Sequence, residues 1–163
     1  MAKRFLASLA LGISTVTLAA CGQSSEEVVE APEGIEGLTV ENVRMVLAPV
    51  EGNPAAVYLD LKYEGDRAVS LSRVAVEGAE SAMMHEYGEY DFKVQMMEML
   101  PVPLTKGTEV SFKPGDKHIM AMGVSPELKP GGTTEVTLIV SGGDKQSVPA
   151  KIIAAGGERE HSH

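Results

Sequence analysis

Methionine and histidine are unevenly placed in this chain, and their chemistry is where its reading begins. Of nine methionines, seven (Met83, Met84, Met96, Met97, Met99, Met120 and Met122) fall within forty residues, and two of the four histidines, His85 and His118, bracket the same stretch. Singly, a methionine is a flexible core filler and a histidine a hydrogen-bonded structural residue. Together they suggest a metal site. His118 and Met120 are separated by one residue, so on a strand they project from one face, and Met122 continues it. His85 ends another candidate strand, and the methionine-rich segment 92–99 follows closely enough for a hairpin to set a thioether against the imidazole. Imidazole with thioether suits neither Ca²⁺ nor Mg²⁺, which take oxygen, and Zn²⁺ takes thiolate, imidazole and carboxylate. Soft sulfur selects Cu(I).

The compartment agrees with that choice of sulfur. Met1-Ala2-Lys3-Arg4 followed by an apolar run to about Leu18 reads as a secretory signal over residues 1–20, too short and too interrupted to span a membrane comfortably. Leu18-Ala19-Ala20-Cys21 resembles a bacterial lipobox, which makes Cys21, the sole cysteine, a lipidated anchor. The expected location is the periplasmic side of a bacterial membrane, and Gly22 after Cys21 weakly favours the outer one. Thiols there tend to be oxidised, whereas a thioether stays a ligand and has no proton to lose.

The elements that must position these groups are short strands. Val57, Leu59 and Leu61 alternate with Tyr58, Asp60 and Lys62; Val136, Leu138 and Val140 alternate likewise, as do Val148, Ala150 and Ile152. Further strands are expected near 40–47, 68–76, 82–85, 92–99, 108–112 and 118–122. Turn sequences separate them, such as Glu51-Gly52-Asn53-Pro54, Lys113-Pro114-Gly115-Asp116 and Pro130-Gly131-Gly132. This predicts an all-β domain over 38–155, a Greek-key sandwich or barrel of about eight to nine strands. An acidic tether over 21–37 precedes it and a flexible tail, 156–163, follows. In the tail, His161 and His163 form an imidazole pair suited to capturing Cu(II).

The signature from His85 onward resembles that of the periplasmic copper chaperone family PCu(A)C: a histidine, ten residues, a methionine, twenty-one residues, then His-x-Met. His85, Met96, His118 and Met120 meet those spacings. Arg44, Pro49 and Gly52 before Ala55-Ala56-Val57-Tyr58, Gly65-Asp66, and Lys113-Pro114-Gly115 before His118 are similar to the family as well, so the likeness covers nearly all of 38–153. It implies a cupredoxin-like sandwich that delivers Cu(I) to a receiving protein, such as the binuclear copper centre of cytochrome c oxidase. In two places the chain departs from the pattern. Glu86 stands where the family often has a second methionine, and Met97-Glu98-Met99-Leu100-Pro101-Val102 looks more like the family's Met-x-Met-x-Pro-Val than Met96 does. Spacing favours Met96 as the fourth ligand and local text favours Met99, with Met97 on the same face as Met99; Met122 is a further alternative.

Other functions fit less well. A net charge of −9, or −11 once Lys3 and Arg4 leave with a leader, argues against nucleic acid. A blue-copper carrier needs a cysteine thiolate, and no Gly-x-Ser-x-Gly elbow supports a hydrolase. The chain reads as a non-enzymatic monomer. A surface copper scavenger or storage protein is the alternative within copper proteins, and an immunoglobulin-like structural module the alternative without metal.

Overall fold

The computed structural model describes residues 34–157. The segment expected as a signal, Cys21, most of the segment expected as a tether, His161 and His163 lie outside the described residues. Ten strands follow one another: β1 (Leu38–Val46), β2 (Ala55–Tyr63), β3 (Val69–Val76), β4 (Ser81–Tyr90), β5 (Lys93–Glu98), β6 (Val102–Leu104), β7 (Thr108–Phe112), β8 (His118–Met122), β9 (Thr133–Val140) and β10 (Lys145–Ile153). They form one continuous hydrogen-bonded ladder, β5-β4-β8-β2-β1-β10-β9-β3-β6, with β7 also on β2. The β1–β10 pair is parallel and the others are antiparallel. The ladder curls over on itself, so that β3 lies against β4 and β8, far from it in strand order. This is the expected all-β sandwich, with one strand more than expected.

Alternation fills the interior. Val57, Leu59 and Leu61 are buried, as are Val136, Leu138 and Val140, and Met45, Phe112 and Ile119 complete the centre. Burying each such side chain contributes roughly 1.5–3 kcal/mol. The extra strand is β6, whose short Val102-Pro103-Leu104 run pairs with β3 and buries Val102 and Leu104. β4 also runs five residues past His85. The segment Glu86–Tyr90, expected as a connection, is paired strand, while Phe92, expected in a strand, belongs to the turn.

One polar staple holds the sheet that supports the site. β1 bulges between Glu41 and Arg44, where Asn42 takes a φ of 55°, and the Asn42 amide donates to Asp60 on β2 at 2.7 Å. Ser111 on β7 donates to the other oxygen of the same carboxylate. The Ser111 bond first, and the Asn42 bond next, hold Asp60 below its ordinary carboxylate range. A carboxylate depressed in the folded state stabilises above its unfolded pKa of about 4, and the contribution is lost as pH falls through the lower folded value. Asp60→Asn is therefore expected to cost up to about 1 kcal/mol at pH 7 and less at pH 3. Urea midpoints at the two pH values check this. Equal losses at both would contradict the role given to the ionised carboxylate.

Candidate metal centre

Residues directly opposite one another in an antiparallel pair point to the same side of the sheet. On β4 and β8, His85 is opposite His118, Met83 opposite Met120, and Ser81 opposite Met122. On β4 and β5, His85 is opposite Glu98 and Tyr87 is opposite Met96. One row across three strands thus reads Glu98, His85, His118. It is flanked on one side by Met96 and Tyr87 and on the other by Met83 and Met120, with Met122 one row further. Ile119, Ala121 and Met84 take the reverse side, where they are buried in the core.

The same register separates the three neighbouring methionines. Met96 shares the histidine face. Met97 is opposite Glu86 and reaches back over Gly88, its terminal methyl lying 2.1 Å from where a β-carbon on that glycine would stand. Met99 continues the ladder by donating its N–H to the Met84 carbonyl at 2.9 Å, and its side chain packs against the core. Met97 and Met99 therefore share the side away from His85, as alternation requires, and Met96 stands apart from them.

The two imidazoles are fixed differently. His118 is 6% exposed, and its Nδ1 lies 2.9 Å from the Asp116 carbonyl. A carbonyl only accepts, so Nδ1 carries the proton and donates, which leaves Nε2 with its lone pair free. Backbone orientation of this kind is what metal-binding histidines commonly have. The Asp116 carbonyl is held by the loop 113–117, where Lys113 N–H donates to the Lys117 carbonyl at 2.8 Å. His85 is the complement: its Nδ1 is buried and has no hydrogen-bond partner. An orphaned buried nitrogen is costly unless something electrophilic satisfies it. Burial first, and the neighbouring His118 second, push the His85 pKa below the usual histidine value, against an opposing pull from Glu98. The neutral, lone-pair form is favoured.

The rings meet edge to face with centroids 6.0 Å apart, and the Tyr87 ring lies 5.6 Å from His118. Tyr87 thus packs beside His118 on the histidine face, a role absent from the sequence reading. Its signal was present, since Tyr87 stands two residues from His85, but it required the strand to continue through Gly88. Nothing in sequence marks the Asp116 carbonyl. Among the described residues no group of three or more His, Cys, Asp or Glu converges to hold a metal. The soft donors on this face beside the two imidazoles are the thioethers of Met83, Met96 and Met120.

Fold and site together define a cupredoxin-like β-sandwich of the PCuAC type. The chain belongs to the LpqE-like family, described as "Putative lipoprotein LpqE-like", which matches residues 38–152. Among solved structures, the copper-bound PCuAC domain from PmoF2 is 20% identical with a TM-score of 0.59, covering 74% of this chain and 96% of that one. The apo PCuAC domain from PmoF1 is 25% identical with a TM-score of 0.60 and coverages of 74% and 97%. Apo-DR1885 from Deinococcus radiodurans is 20% identical with a TM-score of 0.57 and coverages of 90% and 98%. No curated protein matches the chain.

Proposed function

We propose that this protein is an exported, non-enzymatic copper chaperone that holds Cu(I) between His85, His118, Met120 and Met96 and passes it to a receiving cuproprotein. The observation that carries the reading is the pair of imidazoles on one face, one with Nδ1 committed to a backbone carbonyl and the other with a buried nitrogen that nothing satisfies. Two neutral imidazoles and two neutral thioethers leave the bound ion its positive charge. Such a site holds copper without the deeper stabilisation of thiolates, which suits hand-over. Two solved structures similar to this chain, the copper-bound PmoF2 domain and CuI-DR1885, support copper as the cargo.

The acceptor proposed is the binuclear copper centre of cytochrome c oxidase. Cys21 is proposed as the lipid anchor that keeps the domain on the periplasmic face of a membrane, and the family's description as a lipoprotein supports this. The tail pair His161 and His163 is proposed to collect Cu(II). X-ray absorption on the Cu(I)-loaded protein is expected to give a first shell of mixed nitrogen and sulfur. A shell of oxygen, or of nitrogen alone, would sink the assignment.

A further inference from the structure

The hairpin that carries Met96 ends in an unusual turn. β4 and β5 stay paired as far as Tyr90 and Lys93, leaving Asp91 and Phe92 as a two-residue loop with φ of 52° and 57°. Positive φ at both central residues is the habit of a type I′ turn, which favours Asn-Gly because a side chain is penalised there. Here the second position holds a phenylalanine, and it is 94% exposed. A bulky aromatic is thus kept in a strained conformation and in water. Strain of this kind is retained where the surroundings or a function require it.

Phe92 is not isolated. On the same hairpin Val94, Met96 and Tyr87 are exposed on the histidine face, Met97 is exposed on the other face and Leu100 just past the end of β5; the remaining exposed large hydrophobic residue among those described, Val50, lies elsewhere in sequence. β5 ends the ladder, and among the described residues no strand pairs with its outer edge. An apolar concentration of this sort marks an interaction surface. Its charges narrow the choice of occupant: Glu86, Glu89, Asp91 and Glu98 lie along the hairpin against Lys93 alone, with Lys117 3.9 Å from Glu86. A second copy would bring the same carboxylates together, and an anionic lipid surface would repel them. An apolar surface ringed by lysine and arginine complements both features.

We propose that the β4–β5 hairpin, centred on Phe92, is the docking surface for the copper-receiving protein, whose matching face is apolar and ringed by basic residues beside its own metal site. This rests on the delivery reading above and names the face through which delivery occurs. Met96 belongs both to this apolar surface and to the histidine face, so a partner seated on the hairpin reaches the metal from the thioether side. The Cu–S bond to Met96 breaks as a donor on the partner bonds to the ion. Copper remains Cu(I), and no electron or proton is needed.

The test is Phe92→Gly in the Cu(I)-loaded protein, with the apo form of the soluble binuclear-copper domain of cytochrome c oxidase as acceptor. Glycine removes the aromatic and accepts positive φ, so the thermal midpoint is expected to hold or rise, and Cu(I) affinity against a chelator to stay unchanged. Copper transfer is expected to slow about five- to tenfold. Glu89→Lys is expected to slow it too, and added salt to slow the unaltered protein. Transfer by Phe92→Gly at the unaltered rate, or an equal slowing by Val50→Ser, would overturn the surface. Absence of transfer from the unaltered protein would overturn the delivery reading, and the surface with it.

Discussion

His118→Ala is expected to weaken Cu(I) binding by at least about a hundredfold while leaving a folded protein. Loss of an outer-shell partner alone typically costs 10–100-fold in metal affinity, and loss of a ligand should cost no less. His118 is the better oriented of the two imidazoles, because the Asp116 carbonyl fixes its tautomer and ring plane. Removing it leaves His85 as the remaining imidazole on the face, with Glu98 beside it and, among the described residues, no group of three or more His, Cys, Asp or Glu to take over. The structural cost is small by comparison. The Asp116 carbonyl loses one hydrogen bond, worth about 1 kcal/mol, and Tyr87 loses a ring neighbour. The core beneath, built from Ile119, Ala121 and Met84, is untouched. Competition with a chromophoric Cu(I) chelator reads the affinity, and a thermal melt reads the fold. Unchanged affinity in the well-folded double variant His118→Ala, Met120→Ala would remove both residues from the site.

The orphaned nitrogen gives this reading a physical basis that spacing lacks. A neutral His85 stays available as a donor at lower pH than an exposed histidine would, since burial opposes its protonation more than Glu98 favours it. Copper would supply the interaction that the buried Nδ1 lacks. On the proposed ligation, satisfying that nitrogen would contribute to the binding free energy.

The sequence was most informative where one physical pattern dominated. Strict period-two alternation marked β2 and β9, and their inward residues are the buried ones. His118, Met120 and Met122 were expected on one face, and the pairing with Ser81, Met83 and His85 agrees. Misreadings arose where a local signal competed with pairing at a distance. Gly88 among glutamates looks like a connection, yet β5 pairs along it and Met97 fills the space above the glycine. The proline in Val102-Pro103-Leu104 obscures a strand that exists because β3 has a free edge to offer. The Asp116 carbonyl was invisible for a different reason: every residue has one, and only the loop geometry aims it. Strand register lies between these cases. Alternation alone says that Met96 opposes Met97 and Met99 in direction, and only the ladder says which direction holds the histidines.

That register leads to a reciprocal pair of expected results. Met96→Ala should weaken Cu(I) binding by about tenfold or more with almost no change in stability, because Met96 is 44% exposed and its neighbours on β4 and β5 keep their ladder. Met99→Ala should do the opposite. Its side chain packs against the core, so truncation leaves a partial void costing about 1–2 kcal/mol, while the histidine face keeps every donor. Similar chemistry three residues apart is then separated into a binding effect and a folding effect. The double variant distinguishes the arrangement from a shared site: on opposite faces, the affinity loss of Met96→Ala, Met99→Ala should equal that of Met96→Ala alone. X-ray absorption on the two single variants gives an independent reading, with one sulfur scatterer lost in Met96→Ala and none in Met99→Ala. The reverse outcome, affinity lost with Met99 and retained without Met96, would require β5 to slip by one residue against β4. Such a slip would turn Glu98 as well as Met96 away from His85, so it would also remove the carboxylate from the row that now reads Glu98, His85, His118.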